Sequence, residues 1–247
     1  MIFKNKTTRR DVRDQLKGFR IFKGCTFTDD ALVDMDLSGV IFERCTITDL
    51  SYSNLNDAVF IKSDLRNARI RAAEGSKISF DGCDLRDAVF ASIIDESSLE
   101  VCSSKLEGFD VSGCALQKAV FSHNTGSFRL ENCFVAELML SMNKSKKIAL
   151  YRTRANEVLI YTNGRTELIL TKSNLKEWTL CSDDWRIIEQ GVLAINTNQK
   201  TVMAGRSALP SWTFLEMGNG AIRKSLNLNG ATQEVIDKVI HLKESSL

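Results

Sequence analysis

The 247-residue chain contains one proline and two histidines, and aromatic residues make up only 8% of it. With only His123 and His241 present, there is little from which to build general-base or triad chemistry. No GxGxxG or GxxxxGK[ST] loop for phosphates and no HExxH pair occurs. These absences predict a protein that is not an enzyme and that holds no cofactor and no metal.

Long apolar runs are also missing. No window of about 18 apolar residues occurs, so no membrane-spanning helix is predicted. The first residues, MIFKNKTTRRD, are basic but lack the apolar stretch of a secretory signal. We therefore expect a cytoplasmic protein that makes no membrane contact, although delivery by a specialised secretion system would leave no such trace.

The stretch from Ser53 to Arg71 repeats every five residues. Each block has a small residue and, two positions later, a large apolar one; the small residues are Ser53, Ala58, Ser63 and Ala68, and the large ones are Leu55, Phe60, Leu65 and Ile70. A helix repeats every 3.6 residues and a strand every 2, so a period of five indicates neither. It is typical of a chain that turns a corner every five residues. Four such sides close a coil of about 20 residues, and SDLRNA at Ser63–Ala68 indeed recurs as CDLRDA at Cys83–Ala88.

This pattern resembles the pentapeptide-repeat family, in which a small residue and Asp or Asn precede Leu or Phe and two variable positions. The match is specific over Ser53–Ile70 and Cys83–Phe90, and looser over Phe22–Ile47 and Ala115–Phe121. The resemblance implies an all-β fold, a right-handed quadrilateral β-helix, in a protein of bacterial or phage type. The period alone implies only a solenoid with five residues per side.

Seven cysteines are present without any CxxC pair. Four of them occupy the small position two residues before a large apolar residue: Cys25, Cys45, Cys83 and Cys114. A thiol there serves as a compact apolar filler, so we predict core cysteines and not metal ligands. We expect Cys25 and Cys45 to lie one coil apart and to stay reduced in a cytoplasm.

The chain divides into three segments. Residues 1–20 are predicted to form an N-terminal cap with a short helix that Thr7 or Thr8 begins. The alternative for this segment is contact with an anionic partner through Arg9, Arg10 and Arg13. Residues 21–180 are predicted to form the β-helix.

Residues 181–247 are predicted to form a C-terminal capping or dimerisation element. It ends in a helix over Thr232–Lys243, for which Thr232 is the expected cap. The apolar face of this helix either covers the last coil or pairs two rods into a homodimer. The dimerisation candidates are Val235, Ile236, Val239 and Ile240.

Several departures from the repeat predict local irregularities. We interpret Thr48–Tyr52 as a corner insertion or bulge, and Gly75, in a large position, as a bulge or local loop. Residues 91–105 lose the pattern and are predicted to project as a surface loop. Beyond His123 apolar pairs recur every ten residues. Two architectures fit this rhythm: a four-sided coil with two opposite sides lengthened into strands and the others reduced to turns, at Asn143 for example, or a flat two-sided solenoid with ten residues per turn.

Charge is segregated along the chain, although the net charge is only +2. Residues 25–110 contain 8 Lys/Arg and 17 Asp/Glu, whereas residues 111–180 contain 10 Lys/Arg and 5 Asp/Glu. Rows of carboxylates on a narrow rod are able to imitate the phosphates of DNA. Asp64 and Asp84 are expected to stack in such a row, with Arg66 and Arg86 beside them.

We predict a non-enzymatic protein–protein interaction scaffold that acts through the flat sides of the rod or through residues 91–105. The resemblance implies an alternative, a DNA-mimicking binder of DNA gyrase or topoisomerase IV. Its partner-binding candidates are Asp34, Asp36, Asp57, Asp64, Asp84 and Asp87. A second alternative is an effector delivered into another cell. Direct binding of nucleic acid is not expected, although a basic patch exists at Lys144, Lys146, Lys147, Arg152, Arg154 and Arg165.

Overall fold

The computed structural model describes residues 6–18, 20–71, 74–93, 97–162, 166–171, 173–182, 185–190 and 194–195. Over these residues the chain forms a parallel β-solenoid. The predicted helix at Thr232–Lys243 and the dimerisation candidates Val235, Ile236, Val239 and Ile240 lie outside the described residues.

The described elements are one short helix and a series of strands. The helix is α1, Arg9–Leu16. The strands of the first half are β1 Lys6–Thr7, β2 Ile21–Lys23, β3 Thr26–Phe27, β4 Ile41–Glu43, β5 Ala58–Ile61, β6 Arg69–Arg71, β7 Lys77–Asp81, β8 Val89–Ala91, β9 Ser97–Cys102 and β10 Phe109–Ser112. Those of the second half are β11 Ala115–Ser122, β12 Phe128–Glu131, β13 Phe134–Ser141, β14 Lys147–Tyr151, β15 Arg154–Thr162, β16 Thr166–Thr171, β17 Asn174–Ser182, β18 Trp185–Gln190 and β19 Ala194–Ile195.

Two parallel sheets form two of the four sides of each coil. The broad sheet has ten strands, in the order β2, β4, β5, β7, β9, β11, β13, β15, β17 and β19. The narrow sheet has seven, in the order β6, β8, β10, β12, β14, β16 and β18. The chain passes from the broad to the narrow sheet through a first connecting side, where Asp64 bridges Asp84, and returns through a second connecting side, where Asn54 bridges Glu74.

Successive coils are paired 20 residues apart over most of the rod. Phe60 lies in register with Phe80, and Leu138 with Val158. A two-sided solenoid with ten residues per turn would pair Leu138 with Ile148, so that alternative is wrong. The four-sided coil continues past His123, but β13 and β15 each run over the second connecting side as well as the broad sheet, so only one side per coil is reduced to a turn.

Stacked aromatic rings fill the first half of the core. Phe22, Phe42, Phe60 and Phe80 are buried beneath the broad sheet, and successive ring centroids are 5.4, 5.0 and 4.8 Å apart. Each ring contributes roughly 1.5 to 3 kcal/mol by leaving water, and the nearly parallel rings add dispersion contacts. The 20-residue register therefore places like side chains on top of one another.

Corners follow the large inward residues by two positions. Asp57, Lys62 and Asn67 have φ angles of 56°, 50° and 57°. This left-handed conformation is unfavourable for residues with a Cβ, and a coil-to-coil hydrogen bond offsets it. The Lys62 amide donates to the Asp81 carbonyl at 2.7 Å, and the Asn67 amide donates to the Arg86 carbonyl at 2.9 Å.

The irregularity at Thr48–Tyr52 is a deletion, so the predicted insertion or bulge is wrong. Phe42 and Phe60 are in register although only 18 residues separate them. Ile47 and Leu50 both point into the core, at 1% and 0% exposure. The side between these two residues is therefore two residues shorter than the usual five. Leu50 occupies the inward position that would otherwise fall two residues later in the chain.

Residues 91–105 do not project as a loop, so that prediction is wrong as well. The segment contains β9, which pairs with both β7 and β11, and Leu99 and Val101 are fully buried. The pattern is lost because the coil has one extra residue: Phe80 pairs with Val101, 21 positions on. Residues 94–96 lie outside the described part of the chain.

The N-terminal helix begins at the predicted cap. The Thr8 side chain accepts from the Asp11 amide, the Asp11 carboxylate accepts from the Thr8 amide, and Val12 is fully buried. β1 pairs in parallel with β3, so the segment lies against the first coil. Of the three arginines proposed to contact an anion, Arg9 donates to the Asp34 carbonyl at 3.2 Å.

A polar ladder replaces the small inward residues in the second half. Asn143 lies in the turn between β13 and β14, as predicted, and its side chain is fully buried. Its carboxamide accepts from the Asn124 amide at 3.1 Å and donates to the Phe121 carbonyl at 2.8 Å. Asn124 repeats these contacts with the Ser104 amide and the Val101 carbonyl. Each asparagine satisfies buried backbone groups that an apolar residue would leave unpaired.

Gly75 is in register with Leu55 and forms no bulge, contrary to the prediction. Leu55 donates its amide to the Glu74 carbonyl at 2.7 Å. A Cβ at Gly75 would lie 2.7 Å from Cδ1 of Ile78. Ile78 is in register with Ala58, so this coil has exchanged the large and small inward residues of the coil before it.

This exchange predicts a compensating pair of substitutions. Gly75→Leu should destabilise the protein by about 1 to 3 kcal/mol through overpacking, and Ile78→Ala by about 2 to 5 kcal/mol through a cavity. The double variant recreates the Leu55–Ala58 pair and should unfold at a higher temperature than either single variant. Gly18→Ala is the control, since its Cβ meets nothing within 4 Å. Additive losses in the double variant would contradict the exchange.

Candidate interaction surface

The interior of the rod offers no reactive site among the residues described. No group of three or more His, Cys, Asp or Glu is placed to hold a metal ion within this part of the chain. The predicted core cysteines Cys25, Cys45, Cys83 and Cys114 are buried free thiols. Burial raises the pKa of Cys45 and that of Cys83 to about 12, so both are neutral fillers near neutral pH.

Outer side chains of the solenoid stack in columns. Neighbouring strands are about 4.8 Å apart, so residues one coil apart lie next to each other on the same side. On the first connecting side the column contains Thr26, Thr46, Asp64, Asp84, Lys105, Thr125 and Lys144. His123 occupies a left-handed corner, with a φ of 56°, at the end of the strand that precedes this side.

Asp64 and Asp84 are stacked as predicted, but each carboxylate is paired within its own coil. Arg66 donates Nε and Nη2 to Asp64 at 2.9 and 2.7 Å. Arg86 makes the same two contacts with Asp84, at 2.8 and 2.6 Å. These hydrogen bonds are the main reason why the pKa of both carboxyl groups lies below the ordinary value, although partial burial opposes the shift.

The six acidic candidates do not share one face. Asp64 and Asp84 lie on the first connecting side, and Asp87 lies at the corner that ends it, with a φ of 57°. Asp36 lies on the second connecting side, and its Oδ1 accepts from the Ser38 hydroxyl at 2.7 Å. The remaining two, Asp34 and Asp57, occupy the corners on either side of that second side. The set is therefore divided between two opposite sides of the coil.

The Arg86 contact predicts a measurable change in acidity. In Arg86→Ala the pKa of Asp84 should rise, because the guanidinium hydrogen bonds disappear while Asp64 stays beside it. The lowered pKa contributes stability that is present above the ordinary pKa and is lost as the pH falls through the folded value. Carboxyl carbon shifts in an NMR titration report this pKa directly. Lys118→Ala is the control, and an unchanged Asp84 pKa in Arg86→Ala would refute the pairing.

A basic coil lies farther along the rod, between residues 143 and 154. Its exposed cations are Lys144, Lys146, Lys147, Arg152 and Arg154. Lys147 is in register with Glu167, and the Arg152 guanidinium covers the Tyr151 ring at 4.9 Å. Lys144 and Lys146 make no ion pair with any described residue. Arg165, the sixth member of the predicted patch, lies outside the described residues.

The sequence alone could not show which of these charged side chains are paired, because pairing depends on the register between coils. Asp64 and Arg66 are close in sequence, so their pairing was foreseeable. The isolation of Lys144 follows from its neighbour in the preceding coil, Thr125, which no local sequence feature identifies.

Comparison with known proteins identifies the repeat. The family model for pentapeptide repeats, in eight copies, matches residues 44–74. No curated protein matches the chain. None of the residues with described structure forms a helix of the length and apolarity needed to cross a bilayer.

Proposed function

We infer that this chain is a non-enzymatic scaffold. The matched repeats and the parallel β-solenoid make it a pentapeptide-repeat protein. It binds a protein partner through the outer columns of the rod, in the cytoplasm. Proteins with this solenoid are generally scaffolds without catalytic activity. The rod suits such a role because its core is filled and its outer side chains are held in straight, fixed rows.

The basic coil is the observation that supports this role best. Lys144 and Lys146 project from the first connecting side, and neither makes an ion pair with a described residue. Exposed cations that are not neutralised within the protein attract an oppositely charged surface and increase the rate of encounter with it. The proposed partner therefore presents an acidic segment or patch to this side.

A protein fits these cations better than a nucleic acid does. Lys144 and Lys146 lie on the first connecting side, whereas Arg152 lies at the far corner and Arg154 begins β15 beyond it. A straight phosphate backbone would reach only one of these pairs. The one aromatic ring of this coil, Tyr151, is covered by Arg152 and is not free to stack on a base.

The DNA-mimicking alternative has less support. A binder of DNA gyrase or topoisomerase IV would present a continuous row of unpaired carboxylates. Here Asp64 and Asp84 are neutralised by Arg66 and Arg86, and the next residue in their column is Lys105. No observation favours an effector delivered into another cell.

Charge reversal tests the basic coil. Capture from a nuclease-treated lysate of the source cells should yield the same protein with the wild-type chain and with the control Arg69→Glu/Arg71→Glu, whose exposed arginines lie in β6 on the narrow sheet. Lys144→Glu/Lys146→Glu has the same charge change and should lose that protein. A duplex DNA oligonucleotide should bind none of the three chains.

Two results would overturn the proposal. Equal capture by all three chains would show that the partner does not use the basic coil. Binding of the DNA oligonucleotide by the wild-type chain and its loss in Lys144→Glu/Lys146→Glu would show that the coil serves a nucleic acid.

A further inference from the structure

An aromatic side chain projects from the second connecting side close to the basic coil. Phe134, the first residue of β13, is 44% exposed. Its register neighbours are Ala115 in the coil before and Arg154 in the coil after. Ala115 is half-buried and Arg154 is exposed. The phenyl ring therefore has a small apolar neighbour on one side and a cation on the other.

The two corners of this side carry opposite charges. Arg152 occupies the corner that precedes Arg154, with a φ of 47°, and both arginines are exposed. Neither makes an ion pair with a described residue. At the other corner Glu137 and Glu157 are exposed and in register. Glu137 is paired with Lys118 at 3.2 Å, whereas Glu157 makes no ion pair within the described part of the chain.

We propose that an extended segment of a protein partner binds across this side. The surface is formed by Phe134, Arg152, Arg154 and Glu157 and is called the aromatic patch below. The segment carries an acidic, an apolar and a basic side chain at alternate positions, which are about 6.7 Å apart in an extended chain. The acidic side chain meets the arginines, the apolar one packs on the phenyl ring, and the basic one meets Glu157. Aromatic and arginine side chains contribute most of the binding energy in many protein interfaces.

The charges favour such a segment over a nucleic acid. A phosphate backbone that crossed the side from Arg152 would meet Glu137 and Glu157 at the other corner. A backbone that followed the rod past Phe134 would find Arg154 as the one cation of that column among the residues described. A segment with charges of both signs meets an opposite charge at each corner, and such complementarity sets the orientation of a partner.

The aromatic patch gives the scaffold a second site. Lys144 and Lys146 lie on the first connecting side, which is the opposite side of the rod, so one bound protein does not cover both surfaces. A rod with both sites occupied holds two proteins side by side. This goes beyond the proposed function, and either site could exist without the other.

Saturation-transfer NMR on the full chain tests the aromatic patch. The probe is the peptide acetyl-Glu-Ser-Leu-Ser-Lys-amide, whose leucine methyl groups should receive saturation from the wild-type protein. Phe134→Ser removes the ring and should abolish this transfer, and Arg154→Glu should weaken binding roughly fivefold. Ile21→Ser is the matched control, because Ile21 is 42% exposed but lies on the broad sheet, and it should bind the peptide like the wild type. Circular dichroism checks that each variant retains its β spectrum.

Two further measurements separate the possible outcomes. Lys144→Glu/Lys146→Glu should bind the peptide as the wild type does, so a failure of the basic coil to bind its partner leaves this result unchanged. A single-stranded DNA oligonucleotide should bind neither the wild type nor Phe134→Ser. Binding of the oligonucleotide that Phe134→Ser abolishes would assign the aromatic patch to a nucleic acid and overturn the proposal. No transfer from the wild type, or equal transfer from Phe134→Ser, would overturn it as well.

Discussion

Backbone hydrogen bonds between successive coils are the constraint on which the rest of this structure depends. Each coil donates to and accepts from the coil about 20 residues away, so no coil satisfies its backbone alone, and stability accumulates from neighbour to neighbour. The same bonds hold the left-handed corners, as the Lys62 amide on the Asp81 carbonyl shows. Because the backbones are in register, the side chains are as well, and both the core and the surface become stacks of like positions.

This constraint explains which features were predictable from the sequence. The five-residue alternation of small and large residues states which side chains point inward, and from it follow the parallel sheets, the buried cysteines and the Asp64–Asp84 stack. It also explains the errors. Gly75 interrupts the pattern because this coil has its large inward residue at Ile78 instead. The register between coils is kept, since the exchange nearly conserves the side-chain volume beneath the coil.

Deletions and insertions misled the prediction for a related reason. The coil that contains Leu50 lost two residues, and the coil that contains Leu99 gained one, yet both keep their hydrogen bonds to the coils on either side. A change of period in the sequence predicts a change of structure, but none occurs at these two coils. The solenoid instead absorbs such changes at one side and restores the register at the next.

The surface could not be deduced in the same way, because its properties arise between residues that are one or more coils apart. Asp64 and Asp84 are candidates by sequence, but Arg66 and Arg86 bind their carboxylates. Lys144 has no such partner, because its neighbour in the preceding coil is Thr125.

The four-sided, 20-residue coil past His123 is the central claim, since the basic coil rests on it. Cysteine pairs on the outer surface test it most directly, in a chain with Cys102→Ser and Cys181→Ser. Arg129 and Ala149 are register neighbours in the narrow sheet, at a separation that a disulfide can bridge. Arg129→Cys/Ala149→Cys should form an intramolecular disulfide on mild oxidation, whereas Arg129→Cys/Met139→Cys should not. The reverse result would mean ten residues per turn and would contradict the account.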